Sequence, residues 1–188
     1  MHQPAGASIL DVACGTGDLA YEFARRGARS VVGLDITPSM LSLARAKSGA
    51  GRADVTFVAG DMTSLPFPDA MFDLVSTGYG LRNVPVLETA LSEAARVLRA
   101  GGVLLSLDFN KPDGWLIRGI YLAYLRAVGS VLGRALHGDP DTYTYIAESI
   151  RRYPGAEGVR VAALRAGFTR CEAVPVFGGL MTIHHAVK

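Results

Sequence analysis

The run Asp11-Val12-Ala13-Cys14-Gly15-Thr16-Gly17 sets an acid, three small residues and two glycines between an apolar stretch and an Ala/Leu-rich helical pattern. It reads as a strand turning into a helix. Small residues there let backbone N–H groups approach a ligand at the helix N-terminus. The spacing Gly15-x-Gly17-x-x-Ala20 also suits a dinucleotide, and taken alone it fits a plain structural turn. Two acids and a glycine end later apolar runs in the same way. Asp35 closes the second run, where its carboxylate can accept hydrogen bonds from both hydroxyls of a ribose, and Ile36 follows it. Asp61-Met62 follows the third, offering a carboxylate to an adenine amino group and an apolar side chain to the ring. Gly78 closes the fourth, where a missing side chain admits a ligand tail. Singly, each Asp reads as a cap or turn residue; together they read as a ligand set. Asp11 separates the two ligand readings. A carboxylate just ahead of the glycines attracts an ammonium group and repels a pyrophosphate, so adenosine with a cationic amino-acid tail is favoured over NAD.

Such residues converge only if their strands share one sheet. The pattern predicts strands at 7–13, 30–34, 55–59, 72–77 and 103–109. It predicts helices at 18–26, 38–47 (with Thr37 or Asp35 as N-cap), 85–99 and 156–166, the third closed by Gly101-Gly102. Strands apolar throughout and separated by helices imply a parallel sheet covered on both faces, with ligands at its carboxyl edge. Two β-like runs, 168–177 and 180–187, joined by Gly178-Gly179, predict a terminal hairpin. The expected fold is α/β and Rossmann-like: one domain, seven strands, mostly parallel, the last antiparallel. Residues 112–153 break the alternation and are expected to form a helical cap insertion.

Composition narrows the function classes. The 188 residues hold 19 Lys+Arg against 17 Asp+Glu, a net charge of +2 with no basic stripe, which argues against a nucleic-acid partner. A hydrophobic share of 49% argues for a packed core. Cys14 and Cys171 are too few for a disulfide framework, so a reduced, cytoplasmic protein is expected. Residues 1–6 show no secretory pattern, and no apolar run reaches the roughly 18 residues of a membrane span. No metal-ligand set is assigned.

The sequence LDVACGTGDLA resembles the first motif of class I S-adenosylmethionine methyltransferases. With LPFPDAMFDLVSTGYGLRNV, EAARVLRAGG, LDFNKP, DPDTYTYIAESI and GGLMTIHH, the chain from about Ile9 to about His185 resembles the UbiE family, which C-methylates quinols in menaquinone and ubiquinone biosynthesis. Gly80–Val84 and Asp139–Ile150 carry the specificity of that resemblance. It implies S-adenosylmethionine bound at Thr16, Asp35, Asp61, Met62 and Gly78; many relatives have Ser at the last position, so one hydrogen bond is missing here. Relatives also carry several dozen residues ahead of the first strand, helices that cover the cofactor, whereas this sequence reaches that strand almost at once. The resemblance implies C-methylation of a demethylmenaquinol-type or related polyprenyl quinol. Alternatives are methylation of another small molecule on the same fold, or a NAD-binding oxidoreductase.

Arg82, matching the family's Arg after the fourth strand, is the expected holder of the phenolate that makes the ring carbon nucleophilic. It cannot take the proton itself, because guanidinium stays protonated, so a water or a nearby carboxylate must. A surface Arg paired with an acid is the plainer reading. Asn83 either orients that water or caps the helix beginning near Pro85. His184 and His185 are assigned to structure, since about 16–20 Å separates them from Gly178-Gly179 along the last strand. His137 in the cap is better placed. Cys14 is expected to be a small buried filler. Trp115, Leu116, Ile120, Tyr121, Tyr124, Leu125, Val128 and Leu132, at helical spacing, suit either a core-facing helix or a groove for an isoprenoid tail with peripheral contact to the inner membrane face. Tyr143 and Tyr145 are candidates to line the ring site. Oligomeric state is left open.

Overall fold

The computed structural model describes residues 5–47, 55–110 and 149–188. Trp115 to Leu132, His137, Tyr143, Tyr145 and nearly all of the expected cap lie outside them.

One seven-stranded sheet organises the described residues, in the order β3-β2-β1-β4-β5-β7-β6. Its strands are β1 (Ser8–Val12), β2 (Ser30–Asp35), β3 (Thr56–Ala59), β4 (Phe72–Gly78), β5 (Leu98–Phe109), β6 (Arg170–Val176) and β7 (Met181–Val187). The first five pair in parallel, and β7 runs antiparallel to both β5 and β6, as the sequence pattern predicts. Helices α1 (Asp18–Arg25), α2 (Pro38–Ala46), α3 (Leu87–Val97) and α4 (Gly155–Arg165) link them.

Every residue of β1 is buried, because both of its faces are covered. Ile9 joins Ala20, Val31, Leu41 and Leu74 under α1 and α2, while Leu10 and Val12 join Leu91, Ala94, Val159 and Ala162 under α3 and α4. All strand-end acids therefore emerge where the core stops, at the carboxyl edge.

Two expectations need correction. The third helix starts at Leu87 rather than Pro85, and Val86 occupies its N-cap position, so Asn83 caps nothing. Gly101-Gly102 does not close that helix either: β5 begins at once with Leu98, which is wholly buried and pairs with Phe72. The register then jumps to Leu74↔Val103, and the intervening residues turn through Gly101 at φ +73°. Burying Leu98 in the core outweighs further helix propagation, and Gly101 takes up the turn that follows.

Phe57 of β3 packs where two glycines leave room. A Cβ on Gly33 would lie 2.7 Å from the Phe57 ring and 3.0 Å from Cys14 Sγ; one on Gly17 would also lie 2.7 Å from that ring. Gly33→Ala is therefore expected to cost about 1–3 kcal/mol through overpacking, read as a lower urea midpoint with unchanged slope. An unshifted midpoint would show that the ring yields freely.

Candidate functional site

The turn after β1 places Ala13 and Gly15 at positive φ (53° and 55°), bending the chain so that α1 can start at Asp18. One carboxylate secures this bend. Asp35, at the end of β2, accepts the Gly15 N–H on Oδ2 at 2.7 Å and the Thr37 N–H on Oδ1 at 2.8 Å. It thereby ties the first and second strand-to-helix turns together. Thr37 holds the N-cap position of α2 without a side-chain capping bond. Asp61 accepts the Thr63 N–H at 2.8 Å, and that backbone bond, reinforced by the Thr63 hydroxyl, holds its carboxyl below the usual range.

Gly15, Asp35, Ile36, Asp61, Met62 and Gly78 line one cavity of about 440 Å³, together with Tyr79, Asn83, Val84 and Pro85. Six of the nine expected cofactor residues thus meet. Ile36 is 68% exposed, an apolar side chain held in the open at the cavity mouth. A Cβ on Gly78 would sit 3.1 Å from Leu19, so the absent side chain leaves room there.

The other three lie elsewhere. Thr16 donates to Asp18 at 2.7 Å and accepts from Lys47 Nζ at 2.8 Å, which turns its hydroxyl into a surface cluster. Gly17, at φ 77°, abuts Phe57. Asp11 is 1% exposed beneath the loop; Ser76 donates to its Oδ1 at 2.6 Å, and Oδ2 makes no hydrogen bond. Burial pushes its carboxyl up to about 7, against the opposing pull of the Ser76 hydroxyl and the Ala20 backbone. Cys14 is half-buried, and burial raises its thiol to about 12, which leaves it inert.

Arg82 departs from the plain surface reading. It stands in a 3₁₀ turn, Leu81–Asn83, with its side chain 4% exposed and paired at 2.7 Å with Asp108, 1% exposed. Its backbone N–H also donates to Asp108 (3.1 Å), Nη1 to the Tyr79 carbonyl (3.2 Å) and Nε to Ser149 Oγ (3.2 Å). The rings of Phe109 and Tyr79 flank the guanidinium at 4.9 and 5.6 Å. Among the described residues, these bonds leave the Nη2 hydrogens unused. Asn83 donates to the Tyr79 carbonyl at 3.1 Å. Arg82 and Asn83 line a second cavity of about 680 Å³ with Tyr153, Arg152, Leu87 and Glu88; Asn83, Val84 and Pro85 form the wall shared with the first.

Asp108 is the residue that sequence reasoning missed. It ends an apolar parallel strand as Asp35 does, and that signal was available in LDFNKP. His184 also needs re-siting. β7 meets the ligand edge where Thr182 faces Asp108, so His184 lies two residues, about 7 Å, further in. The longer separation belongs to the hairpin tip.

The sequence profile described as the ubiE/COQ5 methyltransferase family matches residues 1–188. The chain belongs to that family. A ubiquinone/menaquinone biosynthesis C-methyltransferase UbiE from Pseudomonas paraeruginosa is 39% identical over 188 residues, 98% of this chain and 73% of the relative. Its counterpart in Azotobacter vinelandii is 40% identical, covering 97% and 74%. Among solved structures, a SAM dependent methyltransferase from Aquifex aeolicus superposes with a TM-score of 0.71 at 18% identity, covering 99% of this chain and 84% of that one. One from Mesorhizobium loti gives 0.70 at 19%, covering 100% and 94%. These two show the fold. For a ubiE/COQ5 methyltransferase, the cavity carrying Asp35 and Asp61 is the candidate cofactor site, and the one carrying Arg82 is the candidate acceptor site. No helix among the described residues is long and apolar enough to cross a membrane.

Asp11 makes the pH dependence of stability a probe of this site. Its native value of about 7 lies above the unfolded value of 3.8, so the native state binds the extra proton between those limits. Stability from this group is full below about pH 4 and falls as pH rises through 7, by at most about 4 kcal/mol. Asp11→Asn removes the titration. Urea unfolding is expected to show the variant more stable than its parent at pH 8, with the difference shrinking at pH 5. A pH-independent difference would mean that Asp11 does not titrate in this range.

Proposed function

We propose that the chain transfers a methyl group from S-adenosylmethionine to a ring carbon of a demethylmenaquinol-type or related polyprenyl quinol, in quinone biosynthesis. One observation carries this reading. A carboxylate-lined cavity stands wall to wall with a larger one in which a buried arginine keeps donors that no described residue takes up.

The residues present fit the cofactor. Both Asp35 oxygens keep a lone pair after their backbone bonds, enough to accept the two ribose hydroxyls. Asp61 faces the same cavity for an adenine amino group, with Met62 and Ile36 offering apolar surface to the ring. The orphaned Oδ2 of Asp11 supplies negative potential beneath the loop for an ammonium group. Thr16 and Gly17 serve the turn itself, and Thr16 would have to leave Asp18 and Lys47 to touch a ligand. Bound S-adenosylmethionine supplies a methyl group already activated on a cationic sulfur.

The chain's own work lies on the acceptor side. Arg82 presents Nη2 to the oxygen beside the attacked carbon and lowers the energy of its phenolate as charge develops. Asn83, at the shared wall, orients a water near that oxygen. Asp108, paired with Arg82, is the carboxylate among the described residues placed to receive the proton that guanidinium cannot. Residues 1–188 act in this reading as one methyltransferase domain, with 112–153 as a cap and the apolar residues from Trp115 meeting the isoprenoid tail at a membrane surface.

Two measurements test it. Titration with S-adenosylhomocysteine is expected to show binding that Asp35→Ala weakens at least tenfold; unchanged affinity would refute the ribose role. Arg82→Lys keeps the charge beside Asp108 but loses the forked donors. It is expected to lower quinol turnover at least tenfold while cofactor affinity holds, and full turnover would remove Arg82 from the chemistry.

A further inference from the structure

Behind Arg82 the sheet carries buried polar groups that nothing among the described residues satisfies. Ser106 and Asp108 occupy alternate positions of β5 and share a face with Leu104, which packs under α3 and α4. Across the antiparallel pairing, His184 stands opposite Ser106 and Thr182 opposite Asp108. All four are at most 2% exposed. Directly paired residues hold their Cβ atoms about 4.5–5.5 Å apart, so the four side chains make one patch. Tyr153, 4% exposed, lies within electrostatic reach of Asp108 and Arg82 and also lines the acceptor cavity. Among the described residues, the hydroxyls of Ser106, Thr182 and Tyr153, and Nδ1 of His184, have no hydrogen-bond partner.

Each buried orphan of this kind costs about 1–3 kcal/mol, and native interiors keep few of them. Four around one patch are the partners that a buried water requires. The ring of His184 is polarised in a definite sense. Its Nε2 lies 3.0 Å from the Ala156 carbonyl, which can only accept, so Nε2 carries the hydrogen and Nδ1 of the neutral ring is a bare acceptor. Burial holds His184 below its usual value, keeping it neutral and receptive, while the Ala156 carbonyl and Asp108 favour the charged ring. Among the described residues, Asp108 is the titratable group acting on it, with Arg82 and Tyr153 acting on Asp108 in turn.

We propose that this patch holds ordered water that conducts a proton from the Arg82–Asp108 pair to Nδ1 of His184, which makes His184 the terminal proton acceptor of the methylation reaction. The inference rests on the quinol reading above. The acceptor O–H bond breaks and its electron pair stays on oxygen. As the methyl leaves the sulfonium and its bond to the ring carbon forms, that carbon's own C–H bond breaks and its proton returns to the oxygen, restoring the aromatic quinol. The hydroxyl proton passes by O–H···O exchange through Asp108 and the patch water, and an N–H bond forms at Nδ1. One proton leaves per methyl transferred, and it returns to solvent by the same path once product has gone. His184 touches no substrate; it acts through Asp108.

His184→Gln keeps an amide N–H for the Ala156 carbonyl and removes the titrating nitrogen. With full-length protein, S-adenosylmethionine and a short-chain demethylmenaquinol, kcat is expected to fall at least tenfold. KM and S-adenosylhomocysteine affinity should stay within twofold, and the acid limb of the kcat–pH profile should vanish. A merely structural role would instead lower stability and leave the profile's shape intact. Normal kcat with an intact acid limb overturns the relay. A parent enzyme that binds cofactor yet methylates no quinol sinks the quinol reading itself, and with it the step assigned to His184. Should the Gln variant not fold, a high-resolution crystal structure of the parent decides. Water bonded to Ser106, Thr182, Tyr153 and His184 supports the proposal, and a dry patch refutes it.

Discussion

A guanidinium and a carboxylate removed from water are tolerable only together, and the Arg82–Asp108 pair imposes that condition on the carboxyl edge of the sheet. Stripping either ion of its partner would leave an uncompensated buried charge, at a cost of about 3–5 kcal/mol. The pair also fixes geometry. Asp108 binds both the guanidinium and the backbone N–H of Arg82, which locks the 3₁₀ turn onto the end of β5. Tyr79, at φ 60°, turns its carbonyl to receive Arg82 and Asn83 together. Asn83–Pro85, the wall between the cavities, hangs from this knot.

The acids on the other side of the wall share a residue type but differ in environment. Asp61 is held ionised by the Thr63 backbone and hydroxyl, and Asp35 is spent on two loop N–H groups, so both offer settled acceptors to a ligand. Asp11 is wholly buried, and its proton is in balance near neutrality. A cationic ligand group nearby would favour its ionised form, so ligand binding and deprotonation are linked there. The carboxylate furthest from solvent is therefore the one most sensitive to what occupies the cavity.

Legibility in the sequence followed how local each cause was. Asp35, Asp61 and Gly78 could be read because a parallel strand must end at the ligand edge, and strand ends show in apolar run lengths. The alternation of runs and helical patterns likewise fixed sheet type and hairpin. The start of β5 could not be read: Leu98 leaves the helix to fill a core position that Phe72 defines, a long-range demand with no local trace. The orientation of Thr16 could not be read either, because its hydroxyl answers to Lys47, thirty-one residues away. Asp108 is legible by the rule that finds Asp35, since it too stands at the end of an apolar parallel strand. Its pairing with Arg82 needed the fold.

The distribution of charge across the shared wall gives the arrangement a direction. Asp35 and Asp61 face the smaller cavity with Asp11 beneath it, so that side attracts a cation. On the other side, Arg82 lines the larger cavity and offers it positive potential, with its Nη1 engaged by Asp108. In the proposed reading, a donor carrying positive charge and an acceptor developing negative charge are thus each drawn to the appropriate side, with the apolar residues Val84 and Pro85 lining both cavities. Transfer of a methyl cation across such a boundary cancels both charges at once. The field that gathers the reactants therefore has less hold on the neutral products, and the same residues that favour encounter also favour release.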